Sequence, residues 1–149
     1  MKAIKFSEKI NINSTQEIVF DYTQNYDERL SWDTFLKEAK LIGGATKADK
    51  GVRAYCVAKM GLGMETEYVS FSRPKVTAIK MTRGPFLFKT FSGSWTFNEF
   101  NQGITEVIFL YSFTLRFPFN LFTYFIKRNL QANVRQRLLD LKRSIGKSA

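Results

Sequence analysis

The chain has 149 residues and a formal net charge of +10; 44% of its residues are apolar and 15% are aromatic. A chain of this length can bury a sizeable core and the apolar share excludes a disordered protein, so we predict one domain over residues 1–149. The sequence has no histidine and one cysteine, Cys56, which excludes an internal disulfide and a Cys/His zinc site, and we predict neither a metal nor another cofactor.

The N-terminal segment, MKAIKFSEKI, spreads charges through its apolar residues and has no signal-peptide core. No apolar run in the sequence approaches the roughly 20 residues that a membrane-spanning helix requires. We therefore expect a cytoplasmic protein.

The first predicted elements are a strand and a helix. Residues 3–12 alternate apolar and polar side chains, which indicates a strand with one buried face. The next four residues, Ser14 to Glu17, form a capping box, so we predict that a helix begins at Ser14. This helix is expected to turn Ile18, Val19 and Tyr22 inward.

A second short helix is predicted from Glu28 to Leu36, with Leu30, Trp32 and Phe35 on its apolar side. From about residue 40 to residue 116, short strands alternate with turns that contain glycine or proline. Their spacing is typical of antiparallel neighbours.

The last two strands sort their side chains onto two faces. In the strand that precedes the last hairpin, Phe91, Trp95 and Phe97 lie on one side and small hydroxyl residues on the other. The final strand has a register of large apolar side chains, namely Val107, Phe109, Tyr111, Phe113 and Leu115. This pattern predicts a sheet that is covered on one side only. For residues 51–82 the sequence leaves open which register faces inward.

Beyond Pro118 the apolar residues recur at spacings of three or four, which predicts one long helix. The predicted stripe consists of Phe122, Ile126, Leu130, Val134, Leu138, Leu141 and Ile145. A helix of about 28 residues would be roughly 40 Å long and would cross the whole sheet. Its basic residues are predicted to form a solvated face, and they are Lys127, Arg128, Arg135, Arg137, Lys142, Arg143 and the nearby Lys147.

Several short motifs follow one another in a characteristic order. They are Asn13-Ser14, Asp27 and Trp32 within YDERLSW, Gly51, Glu67-Tyr68-Val69, Arg73-Pro74, Gly84-Pro85-Phe86, Trp95 to Phe97, and Gly103 to Val107. In this order and spacing the chain resembles the START-like (SRPBCC) superfamily, particularly its polyketide cyclase/dehydratase and lipid-transport branch. The GPF and Trp-x-Phe motifs are also similar to those of the coenzyme Q-binding and ribosome-associated-toxin branch.

The resemblance implies an α+β protein with the helix-grip fold. Its elements would follow the order β-α-α-β6-α, and a seven-stranded antiparallel sheet would wrap around the C-terminal helix. It also implies an internal hydrophobic cavity that binds a small molecule such as a lipid, a quinone or a polyketide. A minority of the family catalyse cyclisation or dehydration without a shared catalytic motif, so we assign no catalytic residue.

The candidate ligand-binding residues are inward-facing rings and a few polar side chains that would anchor a ligand. We predict ligand contacts with Trp32, Phe35, Tyr55, Glu67, Phe91, Trp95, Phe109, Tyr111, Phe113, Phe122, Ile126 and Leu130. Arg53 and Arg116 are alternatives for holding an anionic head group, but we expect both to face water. Cys56 is expected to be a buried, unreactive thiol.

Three functions remain open at this point. A noncatalytic carrier of an apolar molecule ranks first, an interaction module second and a cyclase/dehydratase-type enzyme third. The basic surface would give weak attraction to an anionic membrane or a ribosome. Sequence-specific binding of nucleic acid is not predicted, because the rings are not interleaved with lysine and arginine. The oligomeric state stays open.

The stretch FPFNLFTYF, residues 117–125, concentrates five rings in nine residues. It is too short to span a membrane. We predict that Phe122 and Phe125 face the sheet and that Tyr124 lies on the surface. Phe117 and Phe119 would belong to the passage from strand to helix.

Overall fold

A computed structural model of the chain describes residues 2–148. In this part of the chain the strands are β1 (Ile4–Ile12), β2 (Leu36–Ile42), β3 (Arg53–Ala58), β4 (Gly63–Ser72), β5 (Val76–Arg83), β6 (Phe88–Phe100) and β7 (Ile104–Leu115). The helices are α1 (Gln16–Gln24), α2 (Arg29–Trp32), a 3₁₀ helix (Phe119–Phe122) and α3 (Thr123–Ser148). Within these residues no helix is both long and apolar enough to cross a membrane.

The described strands form one antiparallel sheet in the order β1-β7-β6-β5-β4-β3-β2. The first strand, β1, lies at one edge of the sheet beside the last strand, β7, and β2 lies at the opposite edge. The segment that contains α1 and α2 therefore connects the two edges. Helix α3 covers one face. The predicted order of elements and the helix-grip fold are confirmed.

The core lies between the sheet and α3, where the predicted apolar registers meet. Every member of the predicted register of β7 is buried, as are Phe91, Trp95 and Phe97 of β6. The helix contributes Val134, Leu138, Leu141 and Ile145 to this core. Alternation in the strands and the three-to-four spacing in α3 were therefore sufficient to predict these contacts.

The N-cap of helix α1 lies one residue later than predicted. Thr15, not Ser14, is the N-cap, and its hydroxyl oxygen accepts a hydrogen bond from the Ile18 amide at 3.4 Å. The inward face therefore holds Val19 and Phe20, whereas Ile18, expected inside, is 56% exposed. Tyr22 is partly buried and packs against the core.

Helix α2 is a single turn and not the predicted nine-residue helix, because Leu36 already belongs to β2. Trp32 is buried as expected, but Leu30 is 49% exposed. The backbone leaves the helical conformation at Asp33, where ψ is 92°. The Asp33 carboxylate is bonded to side chains of other elements, which the sequence pattern did not reveal.

The aromatic stretch at residues 117–125 is mostly exposed. Because a 3₁₀ helix with about three residues per turn precedes α3, Phe122 does not continue the stripe of α3. The prediction that Phe122 faces the sheet is wrong, since it is 54% exposed. Phe125 is also exposed, and Tyr124 lies on the surface as predicted. Phe119 is partly buried and packs against the core.

Candidate functional site

A cavity of about 420 Å³ lies between the concave face of the sheet and α3. The sheet supplies alternate residues of its strands, for example Met64, Thr66 and Tyr68 of β4. Helix α3 supplies one face, consisting of Phe125, Ile126, Asn129, Leu130, Asn133 and Arg137. The size and the mostly apolar lining are typical of a site for a small organic molecule.

Aromatic rings form one wall of the cavity. Trp95 and Phe109 have ring centroids 4.1 Å apart, and Phe109 and Tyr111 meet edge to face at 4.8 Å. Gly93 makes room for this wall, because a Cβ atom there would lie 3.1 Å from the Tyr111 ring. Rings in such contact fix one another, so this wall is rigid.

A cluster of charged side chains adjoins the aromatic wall, and we call Arg29, Asp33 and Arg137 the charged cluster. All three are at most 6% exposed. Asp33 Oδ2 accepts hydrogen bonds from Arg29 Nε and Arg137 Nη2, both at 2.9 Å. Arg137 Nη1 also donates to the Tyr111 hydroxyl at 2.7 Å, which joins the cluster to the aromatic wall.

Three further polar side chains next to the charged cluster are bonded to one another. The Tyr68 hydroxyl donates to Gln24 Oε1 at 2.6 Å. The Tyr26 hydroxyl lies 3.1 Å from the Tyr68 oxygen, and it is the donor because the Tyr68 proton is already used. All three residues line the cavity. Burial raises the pKa of Tyr26 and, more strongly, that of Tyr68, so both phenols stay protonated at neutral pH.

The charged cluster stays ionised despite its burial. Burial by itself raises the pKa of Asp33, but the neighbouring Arg137 and Arg29 outweigh this effect and hold the pKa below its usual value. Burial likewise opposes the charge on both arginines, and Asp33 outweighs it, so each arginine has a raised pKa. The cluster therefore carries two positive charges and one negative charge.

Seven of the predicted site residues surround the cavity. They are Phe35, Phe91, Trp95, Phe109, Tyr111, Ile126 and Leu130. Their contact with a ligand stays a prediction. Cys56 also lines the cavity, and burial raises the pKa of its thiol.

Five other predicted residues lie outside the cavity lining. Tyr55 and Glu67 alternate with the lining residues of β3 and β4, so they point to the opposite face of the sheet. Phe113 is fully buried against Phe88, with ring centroids 5.7 Å apart. Trp32 packs edge to face on Trp95, which separates it from the cavity. Phe122 is exposed because α3 begins after it.

Sequence reasoning missed the charged cluster. Arg137 was placed on the solvated face of the last helix, but it is 5% exposed. Its position held a signal, because Arg137 follows Val134 by three residues and precedes Leu141 by four, which puts it on the apolar stripe. Arg29 and Asp33 are spaced i,i+4, which is typical of an ion pair in a helix. Arg53 and Arg116 are exposed, in agreement with the expectation that both face water. The side chain of Lys147 lies outside the described residues.

No group of three or more cysteine and acidic side chains lies close enough to hold a metal ion in the part of the chain that the structure describes. A smaller pocket of about 220 Å³ adjoins the charged cluster. It shares Phe35, Met60, Asn133 and Arg137 with the main cavity and adds Thr34, Lys59 and Gln136. Arg137 is thus the member of the charged cluster that lines both pockets.

The model of one protein family matches residues 3–146, and this family is described as "Polyketide cyclase / dehydrase and lipid transport". No curated protein matches the chain in sequence.

Several solved structures have a similar fold. A protein from Thermus thermophilus superimposes with a TM-score of 0.83 at 14% identity, covering 98% of this chain and 99% of that one. A START superfamily protein from Mycobacterium smegmatis gives 0.81 at 7% identity, with coverage of 97% and 99%. The Zhui aromatase/cyclase from Streptomyces sp. R1128 gives 0.74 at 11% identity, with 96% of each chain covered. Likeness at these identities shows the fold alone.

Proposed function

The chain belongs to the polyketide cyclase / dehydrase and lipid transport family, and we propose that it binds and carries an apolar small molecule in the cavity between its sheet and α3. The cavity itself is the observation that carries this proposal. Its volume of about 420 Å³ falls within the range of sites that bind organic ligands. Its walls are mostly aromatic and aliphatic, and the charged cluster and a few amide and hydroxyl side chains are the exceptions.

Two features favour carriage over catalysis. No carboxylate lines the cavity in residues 2–148, and the sequence has no histidine, so the side chains that most often exchange protons near neutral pH do not face a ligand there. The tyrosine hydroxyls at the charged cluster are bonded to neighbours and have raised pKa values where a shift is resolved. A raised pKa makes a phenol a weaker acid.

A cyclase-type reaction is the second candidate function, and one specific observation favours it. The Tyr111 hydroxyl accepts from Arg137 and keeps its own proton, and Arg29 has N–H groups that Asp33 does not take up; both residues line the cavity. Hydrogen-bond donors gathered in this way stabilise an enolate oxygen, which forms when a polyketide-like substrate cyclises.

The mouth of the cavity suggests where the ligand is loaded. Exposed apolar side chains gather on two neighbouring segments, residues 84–87 and 117–125. We call these side chains the rim. The rim consists of Phe86, Phe117, Leu121, Phe122, Tyr124 and Phe125, each of them more than half exposed. The two segments touch, since Phe86 and Phe119 have ring centroids 6.5 Å apart.

Basic side chains accompany the rings of the rim. The Arg116 guanidinium lies 5.2 Å from the centre of the Phe86 ring, and that of Arg128 lies 5.7 Å from the Tyr124 ring. Exposed rings beside positive charges suit the interface of an anionic lipid bilayer, to which the net charge of +10 is also attracted. We propose that the rim contacts an anionic membrane surface while the ligand moves in or out. Phe125 belongs both to the rim and to the cavity lining, so it lies on this path.

Calorimetric titration of the protein with decanoate and with 1-decanol tests the proposal that it is a carrier. We expect saturable binding of at least one probe at one site. Leu130→Trp fills the cavity and is expected to weaken binding by about tenfold or more, because it displaces several methylene groups worth about 0.8 kcal/mol each. Leu139→Trp is the matched control, since Leu139 lies on the same helix and is 50% exposed. Failure of both probes to bind the unmodified protein would overturn the proposal.

A further inference from the structure

The charges at the cavity wall do not balance. Two buried guanidinium groups, those of Arg29 and Arg137, share the single carboxylate of Asp33. The other buried carboxylate, Asp140 on α3, is bonded to Thr34 and Gln136 and does not belong to the cavity lining. The charged cluster therefore has one positive charge in excess, next to an apolar space.

Asp33 is bonded to both arginines and has no lone-pair position left for another donor. A carboxylate offers about four lone-pair positions. Oδ1 accepts from the Phe35 amide at 3.2 Å and from Arg137 Nε at 3.1 Å. Oδ2 accepts from Arg29 Nε and from Arg137 Nη2. Four donors on four positions saturate the carboxylate.

The excess charge belongs to Arg29. Arg137 uses three of its nitrogens, two toward Asp33 and one toward Tyr111. Arg29 uses only Nε, and within residues 2–148 neither of its Nη atoms has a hydrogen-bond acceptor. Arg29 is 6% exposed and lines the cavity. Its remaining N–H groups therefore serve the cavity.

The position of Arg29 is fixed before a ligand arrives. Its guanidinium carbon lies 5.1 Å from the centre of the Trp32 ring and 5.7 Å from that of the Tyr26 ring. Together with the bond from Nε to Asp33, these ring contacts hold the plane of the guanidinium. A guanidinium held in this way presents two parallel N–H groups, which match the two oxygens of a carboxylate.

Water in the cavity can accept these hydrogen bonds but cannot cancel the charge. A buried, uncompensated cation is costly, so the site favours a ligand that brings one negative charge. Building on the proposed function, we propose that the ligand is an apolar molecule with a single carboxylate, held by the Nη groups of Arg29 while its apolar part fills the aromatic and aliphatic remainder of the cavity.

The test compares decanoate with 1-decanol, which have the same chain and differ in the charged group. We expect the unmodified protein to bind decanoate about tenfold or more tightly than decanol, the effect of a charge-assisted hydrogen bond in a buried site. Arg29→Met retains the apolar bulk and leaves Asp33 paired with Arg137. This change is expected to abolish the preference for decanoate and to leave decanol binding within about twofold, because the alcohol makes no charged contact.

Arg116→Met is the matched control, since Arg116 also lies over an aromatic ring but is exposed at the rim. It is expected to change decanoate binding by no more than about twofold, as is usual for a surface charge. The ratio of the affinities for decanoate and decanol is measured on the unmodified protein. The test therefore does not depend on whether the Arg29→Met protein folds. Equal affinity for decanoate and decanol would overturn the inference and leave the carrier proposal intact. Binding of neither probe would overturn both.

Discussion

Arg137 on α3 and Asp33 after α2 are separated by 104 residues in sequence, yet Arg137 Nη2 lies 2.9 Å from Asp33 Oδ2. The pair joins the C-terminal helix to the short segment that begins the far edge of the sheet. Both side chains are almost completely buried. The pair thus fixes the helix over the cavity from one side, while the apolar residues from Val134 to Ile145 hold it to the core.

Asp33→Asn is expected to destabilise the fold strongly. The substitution keeps the shape of the side chain but leaves two buried guanidinium groups without a counter-charge, which typically costs about 3–5 kcal/mol. The free energy of unfolding in urea measures the effect. Asp21→Asn is the control, because Asp21 pairs with Arg73 on the surface at 2.7 Å and such pairs contribute at most about 1 kcal/mol. Equal losses in the two variants would contradict the role of the charged cluster.

The same carboxylate makes the stability depend on pH. The pKa of Asp33 is lower in the folded state than its ordinary value of 3.8, so the folded state binds fewer protons than the unfolded state in the interval between the two values. The contribution of Asp33 to stability is therefore complete above its ordinary pKa and is lost as the pH falls through the folded pKa. The difference in unfolding free energy between the unmodified protein and Asp33→Asn should be constant near neutral pH and shrink below about pH 4. A difference that grew on acidification would have the wrong sign.

The two tryptophans are expected to respond differently to a ligand. Trp95 lines the cavity, whereas Trp32 packs behind it with the ring centroids 6.2 Å apart. Saturation with decanoate should change the emission of Trp95, because a ligand in the cavity contacts its ring. The change should persist in Trp32→Phe and vanish in Trp95→Phe. A response that follows Trp32 instead would place the ligand elsewhere.

The rim is expected to mediate binding to anionic vesicles. The double variant Phe117→Ser/Leu121→Ser removes two side chains whose burial in a bilayer contributes about 1.5–3 kcal/mol each, so partition onto the vesicles should fall by about tenfold or more. Co-sedimentation with phosphatidylcholine vesicles that contain phosphatidylserine measures this. Vesicles of phosphatidylcholine alone should bind less protein, and added salt should weaken the binding.

Ile18→Ser is the control for the rim, because Ile18 is 56% exposed on α1. The backbone amide of Gln16 in this helix donates a hydrogen bond to Glu99 near the end of β6. The rim adjoins the start of the same strand, so Ile18 lies at the opposite end of β6 from the rim. The control variant should bind the vesicles like the unmodified protein. Sedimentation with ribosomes and not with vesicles would show that the basic surface serves another partner.

The fold could be predicted from the sequence because its main elements have strong periodic patterns. The final strand has large apolar side chains at every second position, and its burial pattern is confirmed. The last helix has them at every third or fourth position, and burial is confirmed from Val134 to Ile145 but not at Phe122. The family resemblance supplied the sheet topology, which periodicity alone does not determine. The short helices were harder, since the boundary of a single turn such as α2 depends on the contacts of Asp33.

The site was predicted only in part, for two physical reasons. The inward register of β3 and β4 is only partly apolar, so sequence alternation did not show that Tyr55 and Glu67 face away from the cavity. Arg137 was assigned to water because arginine is rarely buried without a partner. Its partner, Asp33, lies in a distant part of the sequence, and only the tertiary structure brings the two together.

A crystal structure of the protein with 11-bromoundecanoate would show whether a ligand lies beneath α3, because the bromine is located by its anomalous scattering. We expect a bromine peak inside the cavity between the sheet and α3, with the carboxylate within hydrogen-bond distance of Arg29. A cavity that excludes the molecule, or bromine found only on the outer surface of the rim, would contradict the claim that this protein carries an apolar ligand beneath its C-terminal helix.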